Sequence, residues 1–391
     1  MSLKSLKSLL GYIGCLAVAV LLAYYITGTG GLFIVVLIIV ALILDLVLSV
    51  VSSRKLSINL STDCEIANKG EKVKVKITPD NGTILPSGII RVEIACSGNL
   101  SLQEEGIYRF VTAGNNPQSV EISLSADFCG MGEIFVKSLT VSDFLGIYDR
   151  KIPCESCSQV KIMPPIPDAG TQGEVIKTVT DNINFDDSEE ESEEQSLIPT
   201  GIPGYDHRPY VPGDSLKRIN WKISSKRGNL MVRLDEKSTG SSQIFYLDFP
   251  QTTDKIITKE YCRNADRIIC GSLAMLSMLL KQGFESEYIL FCDGIWENIE
   301  IRDEKGLEYL QEKLAGITPV PSEKRFPPKD LNKKDKSVIC FSTITNEMMP
   351  LVKSLAERMN GAVAVTAESG ITKIPGIDIW TCDNDYNFKK L

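Results

Sequence analysis

A chain of 391 residues is too long for one compact core, so two water-soluble domains beside any membrane segment are expected. Its net charge of −8 excludes a general nucleic-acid binder, which needs a basic face to replace the counterions on phosphate. The 11 cysteines are an odd number at no disulfide-like spacing, which fits free thiols in a reducing compartment.

Apolar residues concentrate at the start. Leu9 to Ile26 reads LLGYIGCLAVAVLLAYYI, and Leu32 to Val51 reads LFIVVLIIVALILDLVLSVV. Each is close to the roughly 20 apolar residues a helix needs to cross hydrocarbon, so a hairpin of spans at about 9–27 and 32–51 is predicted within residues 1–55. The short, glycine-rich Thr27–Gly31 joins them as a turn. Lys4 and Lys7 precede the first span, and Arg54 and Lys55 follow the second. The positive-inside rule therefore places both ends, and the whole soluble part, in the cytoplasm of a two-span cell-membrane protein. A cleaved signal peptide is the competing reading; a second full span follows at once, and no small-x-small cleavage site is convincingly placed. Asp45 is the one charge inside the spans. An intramembrane carboxylate is a functional candidate by default, but this one lies near its helix end, within reach of the interface, and two helices make a poor transport pathway.

Residues 56–167 read as an all-β sandwich of Ig-like kind. Lys72-Val73-Lys74-Val75-Lys76-Ile77 alternates as a half-buried strand should. Further strand-like runs cover Ile89–Ala95, Ile107–Thr112, Val120–Leu124, Glu133–Val141 and Gln159–Ile162. Asn81-Gly82, Ser97-Gly98-Asn99 and Asn115-Asn116-Pro117 punctuate them as turns. Cys154-x-x-Cys157 is the only close cysteine pair, and a zinc site there lacks two of the four ligands it takes, because the lone His207 is distant in sequence.

Residues 168–200 read as a linker centred on DDSEEESEE, Asp186 to Glu194. This like-charge run repels itself; a solvated loop is the plain reading, with a metal buffer or a dock for a basic partner as the alternatives. Residues 201–240 hold the densest segment, GYDHRPYVPGDSLKRINWKISSKRGNLMVRLDE from Gly204 to Glu236. Val211-Pro212-Gly213-Asp214 has turn chemistry, and Asp214 stands where a helix could start. Lys217 and Arg218 lie about one turn ahead of Trp221, so a cation could stack on the indole. The cluster Arg208, Tyr210, Asp214, Arg218 and Trp221 is unusual for a plain surface and forms the candidate partner-binding set, against the alternative of a structural corner between domains.

Residues 241–391 alternate strands and helices, which implies a doubly wound parallel sheet. Strands are predicted at Gln243–Phe249, Glu287–Asp293, Ser337–Ser342 and Ala362–Thr366, with Ile374–Thr381 as an edge strand. Helices are predicted at Ile256–Gln282, Asp303–Leu314 and Asn346–Met359, and a short pair around Trp296–Ile301 follows the strand Glu287–Asp293.

The order Arg208-x-Tyr210, Pro212-Gly213-Asp214, Lys217-Arg218, Ile219-x-Trp221 and Ser224-Ser225-Lys226 resembles the signature of the bacterial membrane protein family known as domain of unknown function 58. Ser142-Asp143-Phe144-Leu145-Gly146-Ile147 resembles that family's Asp-Pro-Phe-Gly-Leu element in shifted form, and Lys161-Ile162-Met163-Pro164 sits where its β-domain closes. Lys226 replaces a usual Arg, and Cys129-Gly130-Met131-Gly132 replaces an Arg-Arg-Gly. The resemblance covers nearly the whole chain. It implies a membrane-bound component acting with MoxR-type AAA+ ATPases and von Willebrand factor A proteins, and a von Willebrand factor A-like fold for residues 241–391. In that fold an Asp-x-Ser-x-Ser motif holds a hard divalent cation such as Mg or Ca. Here Asp248-Phe249-Pro250-Gln251-Thr252 keeps the aspartate and one hydroxyl, so Asp248 and Thr252 are the candidate metal ligands of a degenerate site.

The leading expectation is thus an adaptor bound to the lipid bilayer, with protein partners and without nucleic acid. A metal-dependent binding module at Asp248 is the alternative. An enzyme finds less support: His207 would have to pair with Cys262 or Ser224 outside any elbow motif, and no phosphate-binding loop occurs. Asp214 with Asp206 or Asp235 could form a carboxylate pair, but that spacing is unspecific.

Overall fold

The computed structural model describes residues 3–25, 29–83, 85–103, 106–112, 118–167, 203–209, 219–235, 243–250, 258–281, 284–292, 294–320, 336–343, 345–358, 362–367 and 377–391. These form two compact units. The first comprises Met1–Pro165, Thr252–Asp266 and Leu314–Ile317; the second comprises Ile166–Gln251, Arg267–Lys313 and Thr318–Leu391.

The first unit begins with helices α1 (Leu3–Tyr25) and α2 (Thr29–Ser53). Both contain stretches, Ser5–Tyr25 and Gly30–Ser53, long and apolar enough to cross a bilayer. Each helix starts before its apolar run does, α1 at Leu3 and α2 at Thr29, so Thr29, Gly30 and Gly31 of the predicted turn belong to the second helix. The two helices approach closely near the turn: a Cβ on Gly31 would lie 2.5 Å from Ala23 Cα, so only glycine fits. The Tyr12 hydroxyl donates to the Ile38 carbonyl across the pair.

Ten strands follow: β1 (Ser57–Thr62), β2 (Ile66–Asn68), β3 (Lys72–Asp80), β4 (Ile89–Cys96), β5 (Leu100–Leu102), β6 (Ile107–Phe110), β7 (Val120–Ala126), β8 (Gly130–Ser142), β9 (Asp149–Ile152) and β10 (Cys157–Met163). They make two sheets, β1-β3-β7-β5 and β2-β10-β8-β4-β6, with β9 paired to β8. The period-two pattern explains the packing. On β3 the lysines face out while Val73, Val75 and Ile77 are buried, in one core with Ile90, Val92 and Ile94 of the other sheet. A β-sandwich results. The strand-like runs read from the sequence omit β2, β5 and β9, of three or four residues each, and also β1, although Ile58 and Leu60 are buried between exposed Ser57, Asn59 and Ser61.

The remaining elements are β11 (Pro203–Pro209), α3 (Trp221–Arg227), β12 (Met231–Asp235), β13 (Gln243–Asp248), α4 (Lys259–Lys281), β14 (Ser286–Cys292), β15 (Ile295–Ile301), α5 (Glu304–Ala315), β16 (Val338–Ser342), α6 (Thr345–Arg358), β17 (Ala362–Thr366), β18 (Asp378–Cys382) and β19 (Phe388–Lys390). Strands β11 and β12 pair antiparallel. The others form one sheet in the order β15-β14-β13-β16-β17-β18-β19, parallel from β14 to β18 and antiparallel at both edges. Strand β13 is buried on both faces. Phe245 stacks with Tyr288 and Phe341 on one side, and Tyr246 packs with Met348, Leu351 and Leu355 of α6 on the other. On the Tyr288 side, the Ser272 hydroxyl of α4 shares a 2.8 Å hydrogen bond with the Tyr288 hydroxyl. Helices on both faces of a central parallel strand define a doubly wound sheet.

The strand predicted at Ile374–Thr381 corresponds to β18, and it is not the edge. Strand β19 pairs outside it, after a turn in which the Asp383 carboxylate accepts the Asp385 and Asn387 N–H groups. With two lysines and one buried residue, β19 carries no strand-like apolar pattern, and lysines at an edge blunt further pairing.

Candidate functional site

Asp45 is buried despite its place in an apolar helix, at 7 % exposure. Ser49 and Ser52, one and two turns on, are buried as well, so α2 carries a polar stripe at helical spacing. The stripe has a partner. Asp45 Oδ1 accepts the Phe144 N–H and Oδ2 the Leu145 N–H, both at 3.1 Å, at the tip of the β8–β9 hairpin. Charge-assisted bonds of this kind each contribute about 1.5–3 kcal/mol, and the pair offsets the cost of burying the carboxylate. Arg150 of β9 also donates to Ser53 Oγ at 3.3 Å. The sequence isolated Asp45 but could not supply its partner.

Asp143, fully buried, organises the same tip from within. Its Oδ1 accepts the Ile147 N–H at 2.7 Å and the Tyr148 N–H at 3.1 Å, while its carbonyl accepts the Gly146 N–H at 3.2 Å. Burial, with the nearby Asp45 charge added, pushes the Asp143 carboxyl above the usual carboxylate range.

Of the candidate partner-binding residues, Tyr210, Asp214 and Arg218 lie outside the described residues. The Arg208 backbone pairs with Val232 between β11 and β12. Trp221 opens α3 and is exposed, at 66 %. Its neighbour Ile219 is buried, so the Ile-x-Trp pair divides between core and solvent. Asn220 caps α3: its Oδ1 accepts the Ile223 N–H. Gly228 closes the helix in the left-handed region at φ 71°, donating to the Ser224 carbonyl. Ser224 Oγ donates to the Asn220 carbonyl and accepts the buried Met231 N–H, both at 2.8 Å, which ties the helix to β12.

The candidate metal residue Asp248 sits at the carboxyl end of β13, fully buried, where it accepts the Ser342 hydroxyl at 2.8 Å. Asp248, Ser342 and Thr366 form a register row across β13, β16 and β17. The sheet order reverses on either side of β13, and the carboxyl edge at such a point is where doubly wound sheets bind ligands. The buried Thr343 hydroxyl has no hydrogen-bond partner among the described residues. These donors are oxygens, as Mg or Ca requires, but the row contains a single carboxylate. Pro250 stands where a further hydroxyl is expected and instead bridges to Val320. Thr252 lies outside the described residues.

The two nucleophiles available to an enzyme reading have other surroundings. Burial, with the Asp266 charge added, pushes the Cys262 thiol up to about 12, which holds it protonated. Ser224 is engaged on both sides, as described above. In the Cys154-x-x-Cys157 pair, Cys154 is partly buried and Cys157 exposed, and both are free thiols.

No protein-family model matches the chain, and no curated protein matches it. Among solved structures it is similar to Escherichia coli alpha-2-macroglobulin spanning domain MG7 to the C-terminus, with TM-score 0.25, 18 % identity, and 29 % of this chain and 17 % of that chain covered. It is also similar to the cohesin module of a Clostridium perfringens family 33 glycoside hydrolase, with TM-score 0.18, 13 % identity, and 27 % and 96 % covered. For a type I cohesin from Pseudobacteroides cellulosolvens the values are TM-score 0.20, 15 % identity, and 28 % and 95 % covered. The chain spans only 17 % of the length of the macroglobulin fragment. Likenesses of this extent carry no argument about activity.

Proposed function

We propose that this protein is a membrane-anchored cytoplasmic scaffold or adaptor, acting with a MoxR-type AAA+ ATPase and von Willebrand factor A proteins in envelope-related protein assembly or stress. One observation carries the recognition-surface reading: Trp221 opens α3 with its indole 66 % exposed, while Ile219 of the same motif is buried. Exposed indoles are favoured anchors of protein interfaces, because one rigid side chain buries a large apolar area on binding. The apolar pair α1–α2 supports the anchor. The sheet wound on both sides of β13 supports reading residues 241–391 as von Willebrand factor A-like. The test is affinity capture of the detergent-solubilised protein from its own cells, as wild type and as Trp221→Ala. An AAA+ ATPase and a von Willebrand factor A protein should come down with wild type, and Trp221→Ala should weaken binding about thirtyfold, the effect of a hot-spot residue. Capture unchanged by the substitution removes α3 from the contact; wild type without either partner removes the adaptor reading.

The second reading, a metal-dependent binding module, is favoured by the Asp248–Ser342–Thr366 row at the carboxyl edge. Mg or Ca would then raise the melting temperature by mass action, and Asp248→Ala would abolish that response. A melting temperature indifferent to both cations excludes it.

A further inference from the structure

We propose that the tip of the β8–β9 hairpin, Phe144 to Tyr148, is a lipid-contacting wedge that enters the bilayer surface beside α2 and is held there by Asp45. The inference rests on reading α1 and α2 as membrane spans. Depth is the first argument. Asp45 lies within the apolar run Leu32–Val51, and about 12 Å of helix separate it from Ser53 at the end of α2. A tip bonded to Asp45 therefore sits alongside helix that the span needs for its own crossing. The tip also lies beside the start of α1, since a Cβ on Gly146 would be 3.4 Å from Ser8 Oγ.

Backbone bonding is the second argument. A turn in water can leave N–H groups to solvent, whereas hydrocarbon requires each one to be satisfied within the protein. Every N–H from Phe144 to Tyr148 has a protein acceptor: the Asp45 carboxylate takes two, the Asp143 carboxylate two, and the Asp143 carbonyl one. Side-chain chemistry is the third. Phe144, Leu145 and Tyr148 are 47 %, 40 % and 46 % exposed on a tip whose backbone N–H groups are all taken by protein acceptors. Aromatic and aliphatic groups at such a level suit the boundary between headgroups and acyl chains. Lys7, Arg54, Lys55 and Lys151 are exposed in the flanking segments, where anionic headgroups would meet them. Asp45 thus acts as a latch that fixes the β-sandwich to the membrane surface, rather than as part of a transport path.

The experiment introduces single indoles into the full-length protein in vesicles of phosphatidylethanolamine and phosphatidylglycerol containing spin-labelled lipid. Emission is read as the difference from wild type, which removes the signal of the native tryptophans. The indole of Phe144→Trp should be quenched by a label near the headgroup end of the acyl chain, and that of Leu37→Trp by a label deep in the chain. The indole of Ile107→Trp, exposed on β6, should be quenched by neither. Quenching for Leu37→Trp without Phe144→Trp overturns the wedge while the spans stand; quenching for neither overturns the spans and the wedge with them. Adding Asp45→Asn to Phe144→Trp keeps the side-chain shape, removes the charge and should reduce the shallow quenching. Undiminished quenching in that double variant overturns the latch.

Discussion

At the scale of single residues, two aspartates 98 positions apart share one hairpin tip, and their charges oppose each other. A carboxyl raised above its ordinary value gives stability that is present at low pH and lost as pH rises through the folded value. Asp143 is such a group, chiefly through burial. Acidification from neutral should therefore stabilise wild type relative to Asp143→Asn, which has no charge to lose. Glu71 and Glu93 shift downward, through hydrogen bonds from Asn68 and Lys137, and act in the opposite sense. Only the difference between wild type and variant isolates Asp143, read by denaturant unfolding of the solubilised protein at neutral and mildly acidic pH. A difference that moves against wild type on acidification would show that the tip does not hold Asp143 in this state.

At the scale of elements, α3 shows how a short helix is held by a side chain in place of length. Seven residues are too few for helical stability of their own. The Asn220 cap, the Gly228 stop and the Ser224 bond to Met231 supply it. Removing the Ser224 hydroxyl leaves the buried Met231 N–H without its acceptor, so Ser224→Ala should cost about 1–3 kcal/mol in equilibrium unfolding. Ser225 is exposed and its hydroxyl donates to the Lys222 carbonyl one turn back, so Ser225→Ala should stay within about 0.5 kcal/mol. Equal costs for the two would contradict the role given to Ser224. The density of polar and aromatic residues in this segment was legible in the sequence. That Ile219 faces the core and Trp221 the solvent was not, because residues two apart in an extended-to-helical junction follow neither period.

At the scale of the whole molecule, the proposed orientation puts the soluble part in the cytoplasm. Cys157 is an exposed free thiol on β10 and reports on it. A membrane-impermeant maleimide should label wild type only after cells are broken open, and Cys157→Ser should lower that increment, the partly buried Cys64, Cys96 and Cys154 supplying the remainder. Labelling of Cys157 in intact cells would invert the orientation. The two apolar helices, the alternation on β3 and the βα alternation after Gln243 were all determined by the sequence itself. Each is a local pattern, a continuous apolar run or a period, set by which residues must leave water. The candidate site was legible only as residue types: an aspartate in an apolar helix, an aspartate at a strand end, a tryptophan among cations. Tertiary structure alone decided that Asp45 meets backbone N–H groups 99 and 100 positions away, that Asp248 meets Ser342 94 positions away, and that β19 lies outside β18. Contacts at that separation depend on how sheets and helices pack in space, and no local pattern of apolar and polar residues encodes them.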